Sequence, residues 1–190
     1  ADDAYEGYTL FSPLRATNTY LLDNCGRLVH QWEGELVPSQ LSYLLEDGSL
    51  MRCVKTSPNN NPVFPVGGSG EFVQRLSWEG ELLWEFSYSS PQYRMHHDIA
   101  PLPNGNVLIL AWEFKSEAEA IAAGRKPALL PDLEVWPEEV IEVQTTGPNA
   151  GEIVWEWHIW DHLVQDFDPN QANYVSQPGQ HLGKIDVNFV

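Results

Sequence analysis

The clearest indication of the fold is GELLWEF at residues 80–86, because two variants of it recur along the chain. These are GRLVHQW at 26–32 and GEIVWEW at 151–157. Each begins with a glycine and continues with side chains that alternate between a largely apolar face and a polar one. Alternation with a period of two indicates a half-buried β-strand. An apolar run precedes each glycine, so each unit is predicted to be a β-hairpin that turns at the glycine.

A second pair of repeats lies between these three. LLEDGSLM at 44–51 matches PLPNGNVL at 101–108. Both contain an Asx-Gly pair, which favours a tight hairpin turn because both residues tolerate positive φ. Two kinds of hairpin therefore alternate along the chain, and two consecutive hairpins make a four-stranded antiparallel sheet.

This order predicts an all-β fold, a β-propeller built from four-stranded antiparallel blades. About two and a half blades are visible, whereas propellers use roughly four to eight. The chain is therefore expected to be incomplete alone, and a second polypeptide, self-association or the remainder of a longer chain would complete the propeller. The alternative is a β-sandwich of about ten strands.

We expect a single partial propeller domain over residues 1–190. Residues 1–35 would form the outer hairpin of a first or closing blade, and residues 36–90 one blade. Residues 91–160 would form another blade, which carries a helical insertion. Residues 161–190 are expected to form a long connector and the start of the next strand.

The insertion is predicted to contain one short helix near residues 116–124. SEAE at 116–119 is a capping box, the following alanines favour a helix, and Gly124 suits its end.

Composition narrows the class of partner. The formal net charge of −17 repels phosphate groups, so neither nucleic acid nor an anionic lipid surface is expected. No apolar run approaches the ~20 residues of a membrane helix, so membrane insertion is not expected.

The start at Ala1–Ala4 resembles a mature end left by cleavage after a small residue, which favours a periplasmic or extracellular protein whose signal peptide has been removed.

The chain has two cysteines, Cys25 and Cys53. They form a disulfide only in an oxidising compartment, and two free thiols are the alternative.

The main candidate for chemistry is the run of His96, His97 and Asp98, at the start of the strand expected to line the propeller channel. Neighbouring residues of a strand face opposite sides, so one histidine should point into the channel, and we favour His97. Near neutral pH an imidazole can act as acid, base, nucleophile or metal ligand. The alternative is a His–Asp pair that only satisfies hydrogen bonds at the start of a strand.

Arg125 lies in the insertion, which is expected above the same end of the channel. A guanidinium there would suit an anionic group. The alternative is an exposed surface residue.

Oxygen-bearing side chains alternate at Asp166, Asp168 and Asn170, as they do in calcium-binding loops. The downstream Gly and Glu of an EF-hand are missing, and Pro169 is atypical. Calcium is thus a candidate cofactor at these residues, and no other cofactor is expected. His158, on an outer strand, is predicted to be structural.

The run HHDIAPLPNGNVLIL at 96–110 resembles the arylsulfotransferase family of β-propellers, the aryl-sulfate sulfotransferases. The resemblance spans most of the chain, and HHD followed by LPNGN is its most specific part. The other matching pieces are TYLLD at 19–23 with the strand at 26–32, the turn at 44–50, and IVWEWH at 153–158 with WDHL at 160–163.

The resemblance implies transfer of a sulfuryl group between phenolic compounds without a nucleotide donor. In the family, the reaction passes through a sulfo-histidine in a channel lined by several histidines and an arginine. Only the His96–Asp98 motif carries over to this sequence, because the other channel histidines come from further blades. The chain is therefore expected to act as a transferase on phenolic or other anionic small molecules only when the propeller is completed. The alternatives are a non-catalytic propeller module for ligand binding or assembly, and a calcium-stabilised lectin-like binder.

Overall fold

The computed structural model describes residues 5–56, 63–130 and 132–189, and over these ranges the chain consists mainly of β-strands. The α-helix α1 spans Glu117–Ala122. In chain order the strands are β1 (Tyr8–Phe11), β2 (Thr19–Asp23), β3 (Leu28–Trp32), β4 (Val37–Leu44), β5 (Leu50–Lys55), β6 (Phe72–Leu76), β7 (Leu82–Ser87), β8 (Tyr93–Pro101), β9 (Val107–Glu113), β10 (Lys115–Ser116), β11 (Glu134–Val135), β12 (Glu138–Val143), β13 (Ile153–His158), β14 (Leu163–Val164) and β15 (Ile185–Asp186). Short 3-10 helices span Pro127–Leu129, Ile159–His162 and Pro178–Gln180.

Three antiparallel sheets follow one another along the chain. The first has the order β1-β2-β3, the second β4-β5-β6-β7, and the third β8-β9-β12-β13, while β10 and β11 pair separately inside the insertion of the third sheet. The predicted all-β class is confirmed. β1 is a strand that the sequence pattern did not predict. Within the described ranges the sheets do not close into a barrel or a complete propeller.

The Asx-Gly turns connect the first two strands of each four-stranded sheet. Gly48 follows β4 with a φ of 82°, and Gly105 follows β8 with a φ of 87°. This left-handed conformation favours glycine, which has no Cβ to clash with the backbone. The hairpins predicted at these two turns are confirmed.

The capping box predicted for the inserted helix is also confirmed. The Ser116 hydroxyl accepts a hydrogen bond from the Glu119 backbone N–H, and the Glu119 carboxylate accepts one from the Ser116 backbone N–H at 2.9 Å. Helix α1 ends before Gly124, which has a φ of 89°.

The sheets pack face to face along the chain. A small core between the first and second sheets includes Trp32 and Leu50. The main core lies between the second and third sheets. Trp84 and Phe86 of β7 are partly buried and pack against this core. Its buried residues are Met51, Cys53, Val73, Tyr88, Met95, Ile99, Val107, Ile109, Ala111, Ile141 and Val143.

After the third sheet the chain folds back on itself. β14 and β15 pair in parallel, with Leu163 opposite Ile185. The strand expected at the end of this segment is thus only two residues long and belongs to a local two-stranded sheet. Val190 lies outside the described residues, as do residues 1–4, on which the prediction of export rests. Within the described ranges, no helix has the length and apolar character that a membrane span requires.

Candidate functional site

The His96–Asp98 motif sits in a bulge of strand β8. Met95 pairs with Ala111 and Ile99 with Ile109, so three residues of β8 lie opposite a single residue of β9. His97 adopts a φ of 52°, a conformation that is uncommon for residues other than glycine. The simple alternation assumed from the sequence is therefore interrupted at the motif itself. Such bulges re-aim side chains and are frequent beside functional sites.

The loop before β6 holds the bulge in place. The backbone N–H of His97 donates to the Gly68 carbonyl at 2.8 Å, and that of Gly70 donates to the Met95 carbonyl at 2.8 Å. Ser69 and His96 form an isolated β-bridge between these contacts. The second sheet therefore supports the strained backbone of the third.

His96 is the buried member of the histidine pair. Its side chain is 3% exposed, and its ring stacks on Trp112 with 3.8 Å between centroids. Burial, followed by the charge of His97, lowers the pKa of His96 to about 4, although the nearby Ala111 backbone acts in the opposite direction. His96 is thus a neutral imidazole near neutral pH.

His97 is exposed but fixed at one nitrogen. Its Nδ1 lies 2.7 Å from Nδ1 of His96, a hydrogen bond in which one ring donates and the other accepts. No hydrogen bond to its Nε2 is present among the described residues. The arrangement holds one imidazole by another and leaves the far nitrogen of His97 available.

Asp98 is tied to the neighbouring sheet. Its Oδ1 accepts hydrogen bonds from the Tyr43 hydroxyl at 2.8 Å and from the Ile99 backbone N–H at 2.7 Å. Burial, followed by the hydrogen bond to Asp98, raises the pKa of Tyr43 to about 12. Asp98 thus joins the first strands of the second and third sheets, and it makes no contact with either imidazole among the described hydrogen bonds.

Arg125 is occupied elsewhere. Its guanidinium donates to the backbone carbonyls of Val187 and Leu129. Among the described residues no hydrogen bond or ion pair connects it with the His96–Asp98 motif. Arg125 fastens the insertion to the last residues of the described chain.

The residues considered for calcium form a local turn. Asp168 Oδ1 accepts from the backbone N–H of Asn170 at 2.9 Å and from its side-chain amide at 3.0 Å. Asp166 Oδ1 lies 3.3 Å from Lys126 Nζ. These contacts account for the alternating polar residues without an ion, and calcium binding stays a prediction.

Both cysteines are free. Cys25 is exposed in the turn between β2 and β3, whereas Cys53 is buried in the main core. Burial, followed by the charge of Asp98, raises the pKa of Cys53 to about 12, so this thiol is unreactive near neutral pH.

A second group of ionisable side chains lies at one end of the third sheet. It consists of Glu113, Glu139 and His158, whose nearest nitrogen and oxygen atoms all lie within 4.8 Å of one another. His158 Nδ1 is 3.2 Å from Glu139 Oε2 and 3.5 Å from Glu113 Oε1. Two carboxylates and an imidazole in this arrangement can bind a cation or share a proton.

The chemistry of Glu139 is set by its burial. The residue is 3% exposed, and its Oε1 accepts a hydrogen bond from the Tyr88 hydroxyl at 3.0 Å. The pKa of Glu139 is raised overall, mainly by burial. The hydrogen bond from Tyr88 lowers this pKa, and the charge of Glu113 raises it. Burial, followed by the charge of Glu139, raises the pKa of Tyr88 as well.

This group was not predicted from the sequence, although the sequence contains a signal for it. Glu113 continues the buried alternation of Val107, Ile109 and Ala111 on β9, and Glu139 precedes that of Ile141 and Val143 on β12. An acidic residue at a position whose period predicts burial points to a paired or functional side chain. His158 directly faces Glu139 across the β12–β13 pair, a register that the sequence does not reveal.

No protein-family model and no curated protein matches the chain. Among solved structures, a protein of unknown function from Bacteroides caccae is similar, with 10% sequence identity and a TM-score of 0.48. The similarity covers 89% of this chain and 44% of that one, so the chain spans less than half the length of that protein.

Proposed function

We propose that this protein is part of an aryl-sulfate sulfotransferase of the β-propeller type, in which His97 carries the sulfuryl group between two phenolic compounds. The observation that carries the proposal is the exposed imidazole of His97, whose Nδ1 is held at 2.7 Å by the buried His96. The resemblance of residues 96–110 to the family supplies the substrate class.

The proposed reaction has two half-reactions. With its Nδ1–H hydrogen-bonded to Nδ1 of His96, His97 attacks the sulfur of an aryl sulfate through the lone pair of Nε2. The N–S bond forms as the bond from sulfur to the aryl oxygen breaks, and the phenolate leaves and takes a proton from solvent. A second phenol then attacks sulfur, loses its proton to solvent, and returns the N–S electron pair to His97. A covalent intermediate of this kind divides one difficult transfer into two easier ones.

His96 suits the role of a positioning residue. Its low pKa keeps it neutral, so its Nδ1 can accept a hydrogen bond from the Nδ1–H of His97. Stacking on Trp112 fixes the plane of its ring. The hydrogen bond would fix the ring orientation and the tautomer of His97 during attack, as the buried carboxylate does for the base of a catalytic triad.

We assign the completion of the site to further blades. Trp84 of β7 packs against the main core, whereas Trp155, its counterpart in β13, is 49% exposed and Ile153 is 42% exposed. Another four-stranded sheet, supplied by a second polypeptide or by more of the same chain, would cover this face. It would also bring the cationic side chains that the sulfuryl oxygens need, since Arg125 is bound to backbone carbonyls.

The test is the transfer of the sulfuryl group from p-nitrophenyl sulfate to phenol. The two readouts are the release of p-nitrophenolate and the intact mass of the protein. The wild-type assembly should release p-nitrophenolate and gain the mass of one sulfuryl group when the acceptor is left out. His97→Asn should lose both signals. His181→Asn is the matched control, because His181 is exposed and remote in sequence from the motif, and it should keep both. Equal turnover in the wild type and His97→Asn would refute the proposal.

Native mass spectrometry tests the blade arrangement separately. A species larger than the 21.5 kDa chain would support a propeller completed by a partner or by self-association. A stable monomer with no transfer activity would favour a self-contained sandwich with a binding role.

A further inference from the structure

We propose that Glu113, Glu139 and His158 form a binding site for a divalent transition metal of the zinc class. The site shares no residue with the His96–Asp98 motif, and the proposal does not rest on sulfuryl transfer.

Sheet topology places the three side chains on one face. β9, β12 and β13 are adjacent strands, and His158 pairs directly with Glu139. Opposed residues of an antiparallel pair project to the same side of the sheet. Glu113 lies two residues beyond Ala111, which pairs with Glu139, so Glu113 projects to that side too. All three face the second sheet.

The distances fit a metal ion with few ligands. Zinc binds imidazole nitrogen and carboxylate oxygen at about 2.0–2.2 Å, which sets neighbouring tetrahedral ligands about 3.4 Å apart. His158 Nδ1 already lies 3.2 Å and 3.5 Å from the two carboxylate oxygens. Three protein ligands leave a fourth position, which a water molecule or a small anion would take.

An independent observation points to a missing partner. Glu113 is 9% exposed, and its Oε1 is buried and accepts no hydrogen bond from any described residue. This oxygen is the one that faces His158. A buried carboxylate oxygen without a donor is costly unless a cation compensates it.

The surrounding contacts leave the ligand atoms free. Lys115 Nζ lies 2.6 Å from Oε2 of Glu113, the oxygen that faces away from His158. Tyr88 donates to Oε1 of Glu139, and Oε2 remains for a metal. Glu156 Oε2 lies 3.8 Å from His158 Nε2, where it can orient the ring, as carboxylates beside metal-bound histidines do.

The donor set selects the metal. Imidazole nitrogen suits zinc, copper, iron and nickel, whereas calcium and magnesium take oxygen ligands in larger numbers. The competing explanation is a protonated His158 that makes ion pairs with both glutamates over the same distances. The two explanations differ in whether Zn²⁺ is bound and in which side chains its binding depends on.

The test is equilibrium dialysis of the metal-free chain against Zn²⁺, with metal analysis and a competing chelator to obtain Kd. We expect one site that depends on this cluster. His158→Gln and Glu139→Gln should each weaken binding by more than the roughly 10- to 100-fold typical of residues that only support a ligand. Two control variants, Glu142→Gln and His96→Asn, should leave Kd within about twofold. Glu142 lies on β12, as Glu139 does, but its carboxylate is hydrogen-bonded to Asn104 and Asn106.

Binding of Co²⁺ to the unaltered chain keeps the test decisive if a variant fails to fold. Cobalt in a site of four or five ligands gives intense visible bands, whereas six-coordinate cobalt absorbs weakly. Intense bands that Zn²⁺ abolishes are expected. The proposal fails if the wild type binds no zinc, or if folded His158→Gln and Glu139→Gln bind it as tightly as the wild type.

Discussion

The imidazole of His96 stacks on the indole of Trp112, with 3.8 Å between the ring centroids and 10° between the planes. The contact removes the imidazole from water, and its Nε2 is buried without a hydrogen-bond partner among the described residues. Burial disfavours the charged form, so the pKa of His96 falls to about 4. The folded protein thus excludes a proton that the unfolded chain would bind.

This contact predicts that the free energy of unfolding decreases as the pH falls from about 6.5 to about 4. An unfolded histidine binds a proton near pH 6.5, whereas the folded protein resists protonation of His96 until about pH 4. The unfolded state therefore binds more protons throughout this window. The contribution of the neutral His96 to the free energy of unfolding is complete above about pH 6.5. It is lost as the pH falls to about 4, by up to about 3 kcal/mol. Urea denaturation near pH 7 and about pH 4.5 measures the difference.

The control isolates His96 from other groups that titrate in acid. His96→Leu should show a smaller loss of stability between the two pH values, because no imidazole is buried at this position. His97, which faces His96 through Nδ1, is retained in both proteins. An unchanged pH dependence in His96→Leu would contradict the prediction, whereas His181→Asn should keep the dependence of the wild type.

The hydrogen bond from Tyr43 to Asp98 should stabilise the junction of the second and third sheets. Tyr43→Phe removes the donor at 2.8 Å and leaves the carboxylate with the backbone N–H of Ile99 alone. Hydrogen bonds to charged groups contribute about 1.5–3 kcal/mol. We expect the free energy of unfolding to fall by an amount near the lower figure, measured by urea denaturation at neutral pH.

Tyr20→Phe is the matched control for this measurement. Tyr20 stacks on Phe11, and its hydroxyl makes no hydrogen bond among the described residues. Its replacement should leave the denaturation midpoint close to that of the wild type. Equal losses in the two variants would mean that the Tyr43 hydroxyl contributes nothing specific.

Local turn and cap chemistry could be predicted from the sequence because each signal lies within a few residues. Asp47-Gly48 and Asn104-Gly105 need only the positive φ that glycine supplies, and both glycines adopt it. The helix required only the reciprocal bonds of Ser116 and Glu119. These signals established where the chain turns and which strands are neighbours.

The candidate sites depend on registers that local patterns do not determine. The bulge at His97 is stabilised by the carbonyl of Gly68, which lies in the loop before β6 and is distant from His97 in sequence. Arg125 was expected near this motif but finds its acceptor at Val187, 62 residues along the chain. Glu139 and His158 meet because two strands pair in one register, and a shift by one residue would separate them.

The buried ion pair of Glu71 and Arg94 should be essential for stability. Arg94 is fully buried, and its Nη2 lies 3.3 Å from Glu71 Oε1. Glu71 Oε2 also accepts from the backbone and hydroxyl of Thr56 at 2.7 and 2.6 Å. Glu71→Gln leaves the guanidinium without a compensating charge, which destabilises proteins by about 3–5 kcal/mol. Thermal and urea unfolding should both show a large decrease.

A surface pair provides the contrast. Arg27 lies 2.9 Å from Asp23, but its side chain is 76% exposed. Solvent screens such pairs, so Arg27→Gln should leave the unfolding midpoint unchanged within error.

The double variant Arg94→Met with Glu71→Gln should be less destabilising than the sum of the two single changes, because the second change removes the unpaired charge. Additive losses would show that the pair does not act as a unit.

Close packing at Gly124 should make this glycine irreplaceable. It has a φ of 89°, and a Cβ there would collide with the side chain of Gln165, which is fully buried. Gln165 cannot move away easily, because its amide holds the backbone of Phe167 and Asp168. Gly26, with a φ of 75° and open space around it, is the control: Gly26→Ala should lose only the roughly 1–2 kcal/mol of a left-handed residue. Gly124→Ala should lose clearly more free energy of unfolding, measured by urea denaturation. An equal loss in the two variants would mean that the insertion rearranges to accommodate the extra methyl group.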